Sequence, residues 1–386
     1  MMQLVPHPQI PRAEAVVDLA AVRHNVGVLR EAAPDSALMA VVKADGYGHG
    51  AVAVGGAALA AGATWLGVCT LEEALALRAG GIDAPVLSWL HVPSDDFTDA
   101  VAAGIDLSVG SVAHLDSVLA GARAAGRAAR LHLKVDTGLS RGGAQPAQWA
   151  DLVDAAAKAV AEGTAEVVAV FSHLSHGDIP GHPTLDLQAE RLTDAWQTAL
   201  DRGLHPIRHL ANSGATLMRR PELALDLVRP GIAVYGLDPY DRPVPESPLR
   251  PVMRLQARVA LVKRVPAGAG VAYGHEWFAP VETTLALLPI GYGDGVPRRL
   301  NREGRMRVLL SGELRPAVGR ISMDQIVVDC GDAAVAEGDL AVLFGSGRDG
   351  EPTAQDWADE LGTIHYEVVT GVRGPRVTRA LREDTW

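Results

Sequence analysis

The stretch "ALMAVVKADGYGHG", Ala37 to Gly50, opens with six residues, Ala37 to Val42, that read as an apolar strand. Lys43 stands at the end of that strand. A loop of glycine, tyrosine and histidine follows at once. A strand-end lysine can lay its stem on a core and its head in water. Beside a loop suited to close backbone contact, it can also hold a ligand. The same loop separates two folds. An open, doubly wound sheet would announce a dinucleotide after its first strand with G-x-G-x-x-G, and "KADGYGHG" is not that pattern.

Outward from this stretch, the first 235 or so residues alternate short β-rich runs with longer helical ones. "LMAVVK", "TWLGVC", "PVLSWL", "IDLSV", "RLHLKVD", "EVVAVFSH", "IRHLAN" and "LALDLVRP" read as strands. Between them lie stretches such as "TLEEALALRAG", "SVAHLDSVLAGARAAG" and "TLDLQAERLTDAWQTALDRG", which carry helical spacing and often close on glycine. Parallel strands require crossovers, and helices supply them. The expected class is therefore α/β, a (β/α)8 TIM barrel over residues 1–240 with a short N-terminal extension. The proline-rich "DPYDRPVPESPLRP" reads as a linker. After it, runs such as "MRLQARVALVKRV", "TTLALLPI", "MRVLLSG", "QIVVDC" and "DLAVLFG" predict a C-terminal, mostly-β domain over 241–386.

Composition narrows the partners. The chain has 386 residues, 48% hydrophobic and 21% charged, which is globular composition and long enough for about two domains. A formal charge of −11 argues against nucleic acid and anionic membranes, which need a basic face, and leaves a small anionic ligand open. Cys69 and Cys330 form no disulfide or metal pattern, so a cytoplasmic protein without a metal site is expected. "MMQLVPHPQIPRAEA" lacks an apolar core of signal-peptide length, and no export signal is read there. The uncharged run Gly50–Leu71 is alanine- and glycine-rich, and reads as a helix, a turn and a short strand in place of a membrane span.

Chemistry gathers after the strands. The first ends in Lys43, the fifth runs into "DTGLSRGG" with Arg141, and the sixth ends in His173. The seventh ends in Asn212 and Ser213, and the eighth in "RPGI", Arg229 to Ile232. In a barrel these ends open on one face, where active sites are built, and the loops after strands seven and eight recur as a phosphate site. A lysine facing a phosphate-bearing aldehyde cofactor is the arrangement for a Schiff base.

At this point the sequence resembles a known family. "AVVKADGYGHG" is similar to the pyridoxal phosphate-binding signature of alanine racemases. "KVDTGLSRGG", "FSHLSHGD", "ANSGAT", "VRPGIAVYG", "VAYGHEW", "GYGDGVPR", "GRISMDQ" and "HYEVVTGVRGPRV" follow in family order, from about residue 14 to 379. The resemblance implies pyridoxal 5'-phosphate as cofactor, an amino-acid substrate and a head-to-tail homodimer. Each site would be completed by the partner's β domain, and the enzyme would supply D-alanine for peptidoglycan. Lys43 would hold the cofactor and act as one base. Tyr273 would be the second base, contributed in trans, and His173 would hydrogen-bond that tyrosine. Arg229 would donate to the pyridine nitrogen. Because a guanidinium keeps its proton, the ring would remain a weak electron sink.

The same resemblance implies phosphate contacts from Tyr47, Ser213, Gly231, Ile232 and Tyr366. Arg141 and the backbone N–H of Met323 would meet the substrate carboxylate, and Tyr292 would line an access corridor. Lys134 matches a lysine that is carbamylated in several relatives, although a plain structural lysine fits the motif equally well. Ser322 and Gly293 stand where many relatives carry cysteine and alanine. Three rivals were weighed. A pyridoxal phosphate homeostasis protein would lack the β domain, and a decarboxylase would be expected to carry an H-x-G-S-G-like stretch. A serine or broad-specificity racemase on the same scaffold stays open.

Overall fold

The computed structural model describes residues 11–92, 94–240, 242, 246–374 and 376–383. The N-terminal stretch read for an export signal falls, up to Ile10, outside these residues, as do four positions of the proline-rich linker. The chain divides into two compact units, residues 21–250 and residues 1–20 with 251–386.

The first unit is a closed barrel of eight parallel strands. They are β1 (Ala37–Val41), β2 (Trp65–Val68), β3 (Val86–Ser88), β4 (Asp106–Val109), β5 (Ala129–Lys134), β6 (Ala165–Phe171), β7 (Ile207–His209) and β8 (Leu227–Val228). Each of the eight runs read as strands overlaps one of them. Register passes from Ala40 to Leu66 to Val86, and Val228 closes the circle on Leu38. Met39, Leu87 and Leu227 are fully buried, with Trp65, Trp89 and Ile207 packed on them. A Cβ at Gly67 would stand 2.6 Å from the Trp89 ring, so only glycine admits that indole. Losing a side chain such as Leu87 to alanine typically costs ~2–5 kcal/mol.

The crossovers are helical, as predicted. Thr70 and Glu73 close a capping box on helix Leu71–Ala79, Ser111 caps Val112–Ala125, and Thr184–Leu200 follows β6. Gly50–Leu71 resolves into helix Ala51–Ala60, a turn and β2. Among the described residues no helix is long and apolar enough to cross a membrane. The linker is tied down: Asp238 accepts from Tyr240 N, from Arg242 Nε at 2.9 Å and from Ser247 Oγ at 2.6 Å.

The second unit is built on a nine-stranded sheet. Its order is Leu261–Val265, Thr283–Leu288, Ile326–Gly331, Glu313–Val318, Arg307–Leu310, Leu340–Phe344, Met253–Arg258, Ala13–Asp18 and Thr378–Arg382. One feature departs from the sequence reading. Ala13–Asp18 belongs to this sheet and not to the barrel portion, antiparallel to Met253–Arg258 and parallel to Thr378–Arg382. Two helices, Ala354–Leu361 and His365–Gly371, also lie in the C-terminal unit.

Candidate active site

Lys43 leaves the end of β1 into an unusual turn. Ala44, Asp45, Gly46 and Tyr47 all have φ between 51° and 63°, a left-handed helical turn. Such a conformation costs non-glycine residues about 1–2 kcal/mol each. The surroundings over-determine it. Glu73 accepts from Ala44 N at 2.6 Å, from Cys69 N at 2.8 Å and from Thr70 N at 3.3 Å, joining the ends of β1 and β2. Gly46 N donates to Val42 O, and Gly50 N to Asp45 O. The buried His49 donates from Nδ1 to Gly46 O and Tyr47 O. Tyr235, fully buried, donates to Val41 O at 3.0 Å and packs its ring 4.7 Å from that of Tyr47. Half-buried Lys43 is thereby fixed at the mouth of the barrel.

Beside β1 in the strand circle, where β8 pairs with it, the loops after β7 and β8 form a cradle. Asn212 caps the short helix Ser213–Leu217 through Ala215 N. The Ser213 hydroxyl accepts from Gly231 N at 2.9 Å and from Ala233 N at 3.2 Å. Ile232 opens a 3-10 turn, and its N–H has no acceptor among the described residues. The Tyr47 hydroxyl lies so close to Gly231 that a Cβ there would collide with it. Tyr47, Ser213, Gly231 and Ile232 thus converge, with backbone N–H groups suited to an anion.

Arg229 lies beside this cradle, 6% exposed. NH1 donates to His209 Nδ1 at 2.7 Å, and NH2 to Ser172 O at 2.7 Å and Leu210 O at 3.2 Å. A longer contact of 3.4 Å runs from NH2 to His173 Nδ1. Nε has no partner among the described residues. Burial pushes the guanidinium down to about 9, so it remains a cation at neutral pH. Lys134, the last residue of β5, is pushed down to about 8 by burial and then by Arg229 and Arg141. Burial and the same cations, with Lys43, push His173 down to about 3 and hold it neutral. Arg141 itself is exposed, on a loop shaped by Asp136, which accepts from Gly138 N and Ser140 N.

These groups fit pyridoxal phosphate. The free N–H of Ile232, the Ser213 hydroxyl and a crowded glycine form an anion cradle, the unpartnered Nε of Arg229 offers one donor to a ring nitrogen, and Lys43 offers an amine to an aldehyde.

Four other predicted residues lie in the second unit. Tyr273, on the short turn Tyr273–His275, is 72% exposed, and Met323 is 53% exposed. Tyr292 N donates to Ser322 O and Gly293 N to Met323 O, so "GYGDG" and "RISMDQ" are stitched together. Gly274 packs against Arg320, which brings "VAYGHEW" to the same loop. Tyr366 opens helix His365–Gly371, whose Gly371 carbonyl crowds Gly295.

Sequence reading missed several supporting groups. Gln188, fully buried, donates to Thr137 Oγ1 and His173 O and accepts twice from Ser175, pinning the loops after β5 and β6. Glu73, Tyr235 and His209 were passed over too. A histidine and a glutamine within otherwise buried runs were the signals available for two of them.

The alanine racemase N-terminal domain family matches residues 17–239, and its C-terminal domain family matches residues 252–381. The chain is 56% identical to the alanine racemase of Salinispora arenicola over 96% of its length and 98% of that protein. It is 54% identical to that of Mycobacterium tuberculosis, over 96% of each. The alanine racemase structure from D-cycloserine-producing Streptomyces lavendulae superposes with a TM-score of 0.92 at 51% identity, over 98% of both chains. That from Bartonella henselae, with covalently bound pyridoxal phosphate, superposes at 0.83 with 29% identity, over 97% of this chain and 100% of that one. With both domains matched in order over nearly its whole length, the chain belongs to the alanine racemase family.

Proposed function

We infer that the chain interconverts L- and D-alanine by moving the Cα proton between two bases on opposite faces, Lys43 and the Tyr273 of a second copy. The observation that carries this reading is Lys43 itself, a lysine clamped at the barrel mouth by a strained turn beside an anion cradle. Pyridoxal phosphate, when bound, supplies the electron sink that makes the Cα proton of the amino acid acidic.

The chain's own groups do the rest. Tyr47, Ser213, Gly231 and Ile232 hold the phosphate, with Tyr366 as a further contact. Arg229 donates one hydrogen bond to the ring nitrogen and withholds a full proton. Arg141 and the Met323 backbone of a second copy receive the substrate carboxylate. Arg229 donates toward His173 Nδ1, so the neutral ring carries its proton on Nε2. A donor there stabilises the phenolate form of a tyrosine, as a base that must work near neutrality requires. Tyr292 lines the way in.

The exposure of Tyr273 and Met323, which are of little use on the surface of a lone chain, supports a homodimer. Phe278, Val281 and Ile364 are likewise more than half exposed on that unit, which supports a covered face. The two free thiols, Cys69 and Cys330, support a cytoplasmic setting, where D-alanine would be made for peptidoglycan.

The test is a deuterium wash-in. The cofactor-loaded protein is given L-alanine or L-serine in D2O, and optical inversion and Cα label are followed together. Inversion with label on alanine, far faster than on serine, is expected. Cofactor binding with neither change on alanine would sink the reading, and equal rates on serine would make the enzyme a broad racemase. Tyr273→Phe should keep the visible absorbance of the cofactor and lose at least about 100-fold in racemisation. Full activity in that variant would remove Tyr273 as a base.

A further inference from the structure

Arg229 poses a problem that its immediate neighbours do not solve. It is a buried cation, and among the described residues no carboxylate touches it. Lys134 and Arg141 are close enough to oppose each other's charge and its own. A buried guanidinium without a counter-ion is strongly disfavoured.

The missing charge lies further into the barrel. Arg229 NH1 meets His209 Nδ1 at 2.7 Å, and His209 Nε2 meets His132 Nδ1 at 2.9 Å. His132 Nε2 meets Asp106 Oδ2 at 3.2 Å, and Asp106 Oδ1 takes the Nε of Arg130 at 2.6 Å. Arg130 reaches on to Glu166 at the surface. His209 and His132 are fully buried, and the Asp106 side chain is 1% exposed. The line crosses β4, β5 and β7 to a residue just past β8. Barrel interiors are ordinarily filled by branched apolar side chains, so two imidazoles and a carboxylate there call for a reason beyond packing.

Only one arrangement of protons satisfies the line. A guanidinium can only donate, so Nδ1 of His209 is bare and its proton sits on Nε2. That proton is donated to Nδ1 of His132, whose own proton is therefore on Nε2 and goes to Asp106. Every N–H in the line points from the active-site end toward the carboxylate. Hydrogen bonds aligned in this way polarise one another, so the negative charge of Asp106 is felt at Arg229. Burial and the adjacent Arg229 push His209 well below the ordinary histidine range, in keeping with a neutral ring.

We propose that His209, His132 and Asp106 are positioning residues, a relay anchored by Arg130 that supplies Arg229 with its counter-charge and turns its Nε toward the cofactor's ring nitrogen. The proposal rests on the reading of Arg229 given above. With NH1 held by the relay and NH2 by Ser172 O, Leu210 O and the longer contact to His173, the plane of the guanidinium is fixed.

The experiment uses the holoenzyme with 15N-labelled histidine. Long-range proton–nitrogen correlation reads the tautomers, and His209→Gln and His132→Gln assign the two rings. Both should appear as neutral Nε2–H rings with a bare Nδ1. An imidazolium or an Nδ1–H ring at either position overturns the relay.

Cofactor affinity is then measured by equilibrium dialysis with pyridoxal phosphate. His209→Leu and His132→Leu should weaken it by about tenfold or more, and Asp106→Asn by about threefold. The two Gln variants keep an acceptor followed by a donor and should recover most of the loss, which a general packing defect would not allow. If the Leu variants do not fold, Asp106→Asn and the Gln pair carry the test. Wild-type affinity in Asp106→Asn and the Leu variants, beside a loss in Arg229→Lys, overturns the relay alone. Wild-type affinity in Arg229→Lys as well overturns the reading of Arg229 and the relay with it.

Discussion

Lys134 shows how one residue's chemistry depends on its company. With its ammonium pushed down to about 8, roughly one lysine in ten is neutral at pH 7, against fewer than about one in a thousand for a free one. Carbon dioxide adds only to the neutral amine, and the resulting carbamate would be an anion beside Arg141. Holoenzyme equilibrated with 13C-bicarbonate near pH 8 should therefore show a carbamate carbon resonance that is absent from Lys134→Ala. The same spectrum with and without Lys134 would leave it a plain structural lysine. Its place in the fifth strand was legible from "RLHLKVD". Its lowered proton affinity was not, because that depends on Arg229, which is distant in sequence and adjacent only once the barrel closes. Glu73 was overlooked for a related reason. In "TLEEALALRAG" it reads as one acidic residue of a helix's first turn, and nothing in the string announces that its carboxylate takes Ala44 N as well.

The left-handed turn at Ala44–Tyr47 is an element held against its own preference. Glu73→Ala would remove the acceptor of three backbone N–H groups at once. A loss of about 2–3 kcal/mol in urea unfolding is expected, with part of it restored in Glu73→Gln, which keeps one carbonyl oxygen. A change below about 0.5 kcal/mol would mean that the turn does not depend on this clamp. "KADGYGHG" gave a loop, and its glycines gave the close backbone approach. The left-handed run through Ala44, Asp45 and Tyr47 was not readable, because alanine and tyrosine avoid that conformation unless a tertiary frame imposes it. The eight barrel strands were readable because apolar runs of strand length recur between helical spacings. Strand Ala13–Asp18 was not placed, since its partners begin at Met253 and Thr378 and no local pattern encodes so distant a pairing.

Across the molecule, neutral buried histidines make the barrel unit sensitive to acid. His91 is pushed down to about 4 by burial and then by His114, His173 lies at about 3, and His209 is also lowered. The unfolded chain binds protons on these rings at about 6.5, so between each folded value and 6.5 the unfolded state holds more protons. Stability is therefore full above about pH 6.5 and falls as the pH drops below it. For His91 alone the loss by pH 5 is about 2 kcal/mol. Urea midpoints at pH 7 and pH 5 should show a smaller drop in His91→Gln than in the wild type, and equal drops would refute the assignment. A second whole-molecule test concerns shared sites. Lys43→Ala and Tyr273→Phe, each inactive, should regain up to about a quarter of wild-type activity when mixed under subunit exchange, because half the dimers are hybrids with one intact site each. No recovery despite exchange would exclude catalysis in trans.

The strand Ala13–Asp18 also bears on how the protein is made. It leaves the ribosome about 240 residues ahead of its first partner, yet it pairs with Met253–Arg258 on one side and Thr378–Arg382 on the other. At ~5–20 residues per second the last of these partners emerges on the order of half a minute later. Residues 21–250 form a unit with its own closed barrel and can fold in that interval, while the early strand waits with unpaired backbone edges. A nascent chain stalled between residues 250 and 253 would then carry a finished barrel unit and one β-strand open on both edges, the form a chaperone would be expected to bind.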